Sequence, residues 1–140
     1  MMFHLLMHVG KLLQDRLREQ FSEHGLHHGQ GRVLDALMRN GELSQIEIAK
    51  GLHIQRPTVT TMIQRMEAAG LIEWVQDDAD RRVLRVRVTP KGEAAAKTIR
   101  EIWESVDQDI ENNLPADKQG VAQELLLQIR NHLGGQNPDI

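Results

Sequence analysis

Apolar residues recur at steps of three and four over residues 2–22: Leu5, Leu6, Val9, Leu12, Leu13, Leu17 and Phe21, with Lys11, Asp15, Arg18 and Glu19 between them. That period predicts a long amphipathic helix. Gly25, His27, His28, Gly29 and Gly31 interrupt it, and Val33, Leu34, Leu37 and Met38 predict a shorter helix stopped by Asn40-Gly41. Ser44-Gln45-Ile46-Glu47 reads as a capping box: the Ser44 hydroxyl takes the amide of Glu47, and Glu47 reaches back to the amide of Ser44. A two-turn helix follows, ending at Gly51, and Leu52-His53-Ile54 makes a turn. Pro57 falls in the first turn of the next helix, where a missing N–H costs nothing. That helix carries Val59, Met62, Ile63 and Met66 on one side and stops at Gly70.

The period then changes. Leu71 to Gln76 and Val83 to Val88 are short runs rich in branched residues. Leu84, Val86 and Val88 alternate with Arg85 and Arg87, which predicts a strand with one basic face. The polar segment Asp77-Asp78-Ala79-Asp80-Arg81-Arg82 between the runs predicts a hairpin with a charged tip. Thr89-Pro90 is an N-cap followed by proline at the first helical position. A long helix runs from there to about Asn112, with Ala94, Ala95, Ile99, Ile102, Trp103, Val106 and Ile110. Leu114-Pro115 breaks it. Val121, Leu125, Leu126, Ile129 and Leu133 mark a last helix, ended by Gly134-Gly135.

Composition narrows the class. The 140 residues are 40% hydrophobic and 26% charged, which fits one globular domain and excludes a disordered tail or a fibre. No apolar run approaches the length of a membrane span. Met1 to Val9 is apolar but carries His4 and His8, lacks a basic n-region and a small-residue cleavage site, and so does not read as a signal peptide. The chain has no cysteine, which removes disulfides, thiolate nucleophiles and cysteine-based zinc sites, and makes a reducing cytoplasm the natural compartment. The net charge of −3 argues against a nucleic-acid partner, but the distribution reverses that argument. Residues 50–91 hold 8 Lys/Arg against 5 Asp/Glu, a local +3, while the flanking segments carry −1 and −5. A local basic surface is what phosphate contact needs.

The two short helices at residues 44–51 and 56–69, joined by a tight turn, make a helix-turn-helix, and the charged hairpin makes it a winged one. An α-helix fits the major groove of B-DNA, and the early part of the second helix reaches base edges. Gln55, Arg56, Thr58, Thr60, Thr61, Gln64 and Arg65 lie on the exposed side of that helix. Arg pairs bidentately with guanine, Gln with adenine, and Thr hydrogen-bonds or touches a thymine methyl. The helix's amide end favours phosphate. The hairpin tip, with Asp80, Arg81 and Arg82, can put an arginine in the minor groove, where a narrow groove deepens the negative potential.

Three stretches carry a family resemblance: Ile54-Gln55-Arg56-Pro57-Thr58-Val59-Thr60-Thr61, then Glu67-Ala68-Ala69-Gly70-Leu71-Ile72, then Asp77-Asp78-Ala79-Asp80-Arg81-Arg82 with Val86-Arg87-Val88-Thr89-Pro90-Lys91-Gly92. Together they resemble the MarR family of bacterial transcription regulators. The wing pattern, Asp-x-x-Asp-Arg-Arg followed by Val-x-Val-Thr-x-x-Gly, is its most specific part. The resemblance implies a mainly α fold: a winged helix-turn-helix with a two-stranded antiparallel wing and long terminal helices forming a dimerisation region. It implies a homodimer binding a roughly palindromic operator in double-stranded DNA, with release or modulation by a small aromatic or anionic ligand; a repressor is the expected role. It also implies that Arg82 enters the minor groove with Asp80 orienting it, and that Arg65 contacts DNA. Gln55 departs from the pattern, since Ser or Asp often caps the recognition helix there. The missing cysteines exclude the peroxide-sensing branch.

The 140 residues divide on this reading into a winged helix-turn-helix lobe at 30–90, a linking helix at 90–111, and dimerisation helices at 1–24 and 112–140. The apolar stripes of residues 5–21 and 121–133 exceed what peripheral helices bury on a small domain, which points to association. A two-fold dimer would set two recognition helices about 34 Å apart, one turn of DNA. Met7, His8, Leu12, Leu34, Met38, Ile99 and Trp103 are the expected walls of an effector pocket, apolar with a polar group or two. The seven histidines invite a metal hypothesis, and the alternative function is a metal- or ligand-sensing protein of the same fold with DNA binding secondary. His4 and His8 share a helical face and His27-His28 is an adjacent pair. The family's zinc-sensing branch, however, resembles a design with histidines on the fifth helix, and residues 89–113 contain none. No metal or cofactor is expected. An enzyme is not expected either: no Gly-rich phosphate loop follows a strand, and Ser22, Ser44 and Ser105 lack an elbow motif.

Overall fold

Phe21, Val33, Leu34, Leu37, Ile48, Val59, Ile63, Met66, Val86 and Ile99 are withdrawn from solvent in one contiguous core. The periodic stripes of five helices and one strand meet there. The structure, a computed structural model, describes residues 1–140 apart from the side chain of His28. The elements run α1 (Met2–Glu23), α2 (His28–Asn40), β1 (Leu43–Ser44), α3 (Gln45–Leu52), α4 (Arg56–Ala68), β2 (Ile72–Gln76), β3 (Leu84–Val88), α5 (Pro90–Asn112) and α6 (Ala116–His132). The architecture is the mainly helical winged helix-turn-helix that the sequence predicts.

Four details differ from the sequence reading. First, the sheet has three strands in the order β1-β3-β2, all antiparallel, where two were expected. β1 is two residues long, with Leu43 opposite Val86 and Ser44 opposite Arg85, too short to show a period. Second, Gly29 and Gly31 lie inside α2 rather than before it. Gly31 is there for packing: a Cβ would sit 2.8 Å from Trp103 Cζ2 and 3.0 Å from Ile99 Cγ2. Third, α3 continues through Gly51 to Leu52, and His53 ends it in the left-handed region at φ 55°. Gly51 faces Ile140, whose side-chain carbons would lie 2.6–2.8 Å from any added Cβ. Fourth, the chain after α6 folds back onto α3: the amide of Asp139 donates to the Gly51 carbonyl at 2.8 Å, and Arg39 Nη2 donates to the Ile140 carbonyl at 3.0 Å.

A stitch joins the end of α4 to the start of α5. The Thr89 amide donates to the Leu71 carbonyl at 3.1 Å, the Thr89 hydroxyl to the Gly70 carbonyl at 2.6 Å, and Lys91 Nζ to the Ala69 carbonyl at 2.7 Å. The Thr89 Oγ1 also caps α5 by accepting the amide of Gly92 at 3.1 Å. Backbones run so close here that a Cβ on Gly92 would overlap the Leu71 carbonyl.

The terminal helices are left uncovered. Met2, Phe3, Leu5, Met7, Val9 and Leu12 of α1 are exposed, as are Val121, Leu125, Leu126 and Leu127 of α6, which buries no residue. The two stripes therefore do not cover each other within one chain: Leu5 is 63% exposed and Leu126 57%.

The stitch makes a sharp prediction about glycines. Gly92→Ala meets backbone that cannot yield and should destabilise the chain by about 2–3 kcal/mol, the usual scale of overpacking. Gly51→Ala meets only the side chain of Ile140, so it should cost less and chiefly release the tail. Urea unfolding of both variants checks this; a Gly92→Ala midpoint equal to wild type would contradict the stitch.

Candidate nucleic-acid interface

α3 starts where its capping box dictates. The Ser44 amide donates to Glu47 Oε2 at 2.7 Å and the Glu47 amide to Ser44 Oγ at 3.2 Å. The left-handed His53 then turns the chain, and α4 begins at Arg56 with Pro57 in its first turn. Val59, Ile63 and Met66 anchor α4 in the core. That anchoring turns Gln55, Arg56, Thr58, Thr61, Gln64 and Arg65 to solvent. Thr60 is different. It is half-buried, and its hydroxyl lies 3.0 Å from the Arg56 carbonyl and 3.2 Å from Gln45 Oε1, so it braces α4 against α3. The Thr61 hydroxyl donates to the Pro57 carbonyl at 3.1 Å, which leaves its lone pairs and methyl to the outside. No side chain caps α4 at Gln55, in keeping with the departure noted there, and its first-turn amides face out uncapped.

The wing is a hairpin with Ile72 opposite Val88 and Gln76 opposite Leu84. Asp77 shapes its tip: Oδ1 accepts the amides of Ala79 at 2.8 Å and Asp80 at 3.0 Å. Asp80 Oδ1 accepts the Arg82 amide at 3.0 Å, so it orients Arg82 through the backbone rather than through the guanidinium. The basic strand face is not free charge. Arg85 pairs with Glu47 and Asp77, and Arg87 with Glu73 at 2.6 Å and Glu42 at 3.9 Å. The Glu73 carboxylate raises the Arg87 pKa further above its ordinary value.

Sorting all the arginines by partner isolates four of them on two elements. Arg16, Arg18, Arg32, Arg39, Arg85, Arg87, Arg100 and Arg130 each bond or pair within the chain. Among the described residues, the guanidinium groups of Arg56, Arg65, Arg81 and Arg82 have no such partner, and all four lie on α4 or the wing tip, exposed. Sequence reasoning named these four. It missed the frame that holds the tip: Asp77, whose bonds to the amides of Ala79 and Asp80 are a local turn signal that could have been read, and the Arg85–Glu47 pair, which joins residues 38 apart.

The expected pocket residues are spread out. Leu34 and Ile99 are core, Trp103 is half-buried against Gly31, and Met7, His8, Leu12 and Met38 are exposed. A cleft of about 580 Å³ lies beside α1 instead, lined by Gln14, Arg18, Ser22, Gly25, Leu26 and His27. His4 lies on exposed α1 beside Phe3, while His24 and His27 flank the α1–α2 turn.

Residues 24–83, which hold the helix-turn-helix and most of the wing, match the model of the MarR family. That segment is what the chain shares with the MarR family. The chain is 28% identical to the HTH-type transcriptional regulator FarR of Neisseria gonorrhoeae, over 89% of this chain and 85% of FarR. It is 31% identical to the HTH-type transcriptional regulator YsmB of Bacillus subtilis, over 63% of this chain and about 60% of YsmB's length. The fold superimposes on Bordetella bronchiseptica BpsR with a TM-score of 0.78 at 27% identity, covering 94% of this chain and 93% of that one. The BpsR structure addresses regulation of DNA binding by 6-hydroxynicotinic acid. The chain thus shares its winged helix-turn-helix fold with transcriptional regulators of that family.

The tip frame titrates. The amide of Asp80, then that of Ala79, and then the Arg85 guanidinium hold the Asp77 carboxyl below its ordinary value. Its charged form therefore stabilises the tip above the ordinary aspartate range, and that contribution is lost as pH falls through the lowered value. In an NMR titration the amides of Ala79 and Asp80 should shift with a midpoint below that of a free aspartate. An unperturbed midpoint would contradict the frame.

Proposed function

We propose that this chain is a dimeric repressor that acts by binding a palindromic DNA operator, not by catalysis. Each protomer lays α4 in a major groove and the wing tip in the adjacent minor groove. The carrying observation is that the arginines left without a partner among the described residues, Arg56, Arg65, Arg81 and Arg82, are exposed and all lie on α4 or the wing tip. Unpaired guanidinium groups keep their full attraction for phosphate and for guanine edges, whereas Arg85 and Arg87 are already neutralised by carboxylates. Gln55, Thr58, Thr61 and Gln64 supply further contacts beside Arg56 and Arg65. Thr60 and Asp80 support the two elements rather than touch DNA.

The second protomer covers the apolar stripes of α1 and α6, so residues 1–24 and 112–140 form the dimer, 30–90 form the reading lobe and 90–111 link them. A ligand pocket from Met7, His8, Leu12, Leu34, Met38, Ile99 and Trp103 then needs the second chain to enclose it, because four of the seven lie open in one chain. The structural likeness to BpsR supports a small aromatic or anionic acid as the effector class. Such a ligand works only by favouring a lobe spacing that DNA does not. The cytoplasm is the compartment where this function has its substrate.

Fluorescence anisotropy with labelled duplex tests the reading. Affinity should fall by several powers of ten between about 50 and 200 mM salt, as counterion release demands. Arg82→Ala should bind at least about tenfold more weakly, the loss of one or two charge-assisted contacts, with an unchanged unfolding curve. A flat salt dependence would contradict DNA binding; wild-type affinity in Arg82→Ala would overturn the wing assignment.

A further inference from the structure

Arg85 lies on β3 with its side chain between α3 and the wing tip, and it bonds to both. Nη1 donates to Asp77 Oδ2 at 3.2 Å. Nη2 donates to the Glu42 carbonyl at 2.8 Å and to Glu47 Oε2 at 3.1 Å. That Glu47 oxygen is the one that accepts the Ser44 amide and closes the α3 capping box. The other Asp77 oxygen holds the amides of Ala79 and Asp80, and Asp80 in turn holds the amide of Arg82. An unbroken hydrogen-bonded path thus runs from the first turn of the helix-turn-helix to the backbone of the tip arginine. Arg87, two residues on, has no such reach: it pairs with Glu73 and Glu42.

The path is built to be stiff. Each link has a charged donor or acceptor, and such bonds are shorter and stronger than neutral ones. The Arg85 side chain is 23% exposed and that of Asp77 21%, so the tip end of the path is the more sheltered, while Glu47 at 45% stands open to solvent at the α3 end. The chemistry also calls for arginine. Bridging two carboxylates and a carbonyl from one side chain suits a forked donor with several N–H groups, which a lysine ammonium does not match in geometry.

We propose that Arg85 is a positioning residue for DNA binding: it sets the wing-tip arginines at a fixed distance and angle from the recognition helix. This role rests on the DNA-binding reading above. Simultaneous contact with a major and a minor groove requires that spacing to be preset; a tip free to wander loses affinity through ordering cost, with its own arginines intact.

The test measures duplex affinity of wild type, R85Q, R85K, the tip double variant R81A/R82A, and the triple variant carrying R85Q as well. NMR spectra of the Ala79 and Asp80 amides and unfolding curves accompany each. R85Q should stay folded, shift both tip amides and bind about fivefold to fiftyfold more weakly, and R85K should fall between R85Q and wild type because it keeps charge without the fork. In the R81A/R82A background, R85Q should cost less than about twofold, because the contact it positions is gone. Equal losses in both backgrounds would mean that Arg85 acts on its own and would overturn the proposal. So would R85Q with wild-type affinity or with unshifted tip amides. A wild-type chain that binds no duplex would overturn the functional reading and this role with it; a binding wild type matched by R85Q would overturn this role alone.

Discussion

Three hydrogen bonds between residues 69–71 and 89–91 decide how the DNA-facing half is held. Thr89 and Lys91 reach across to the carbonyls of Ala69, Gly70 and Leu71, and Gly92 lets the two backbones come together. At that point the recognition helix ends, the wing both begins and ends, and α5 starts. One junction therefore fixes α4, the hairpin and the linking helix relative to each other. Each bond is worth only about 1 kcal/mol net, but together they tie α4 and the wing to the start of α5. In the dimer proposed above, a change in lobe spacing would then arise further along α5 or in the terminal helices.

Within that frame the chain divides its arginines by task. Carboxylates neutralise the strand arginines and use them as ties. The guanidinium groups of α4 and the tip are left open. This division explains how a chain of net charge −3 can present a phosphate-seeking surface. Position of charge, and which charges are already satisfied, matters more than the total. The same logic separates Thr60, used internally, from Thr58 and Thr61 beside it.

Local features were legible in the sequence because their partners lie within one helical turn. The Ser44–Glu47 box, Pro57 in the first turn of α4 and the Thr89-Pro90 start of α5 all belong to this class, and all stand where the spacing put them. Features whose partners come from elsewhere were not legible. Arg85 and Arg87 read as a basic face because Glu42, Glu47, Glu73 and Asp77 approach only once the sheet forms. Gly31 reads as a break because nothing in its neighbourhood announces Trp103, 72 residues on, and Gly29 because nothing there announces Met62. β1 is stabilised by β3 rather than by its own two residues. The contact of Ile140 with Gly51 joins residues with no periodic relation at all.

The central claim is that unpaired arginines on α4 and the wing tip read two half-sites at a spacing set by the dimer. Selection of the chain's preferred duplex from a random pool, followed by hydroxyl-radical footprinting of the winner, tests it most directly. The account predicts an inverted repeat whose half-site centres lie about 10 base pairs apart or a multiple of that, with minor-groove protection beside each half-site where the wing tip enters. A random pool that yields no enriched sequence, or a single half-site without flanking minor-groove protection, would contradict it.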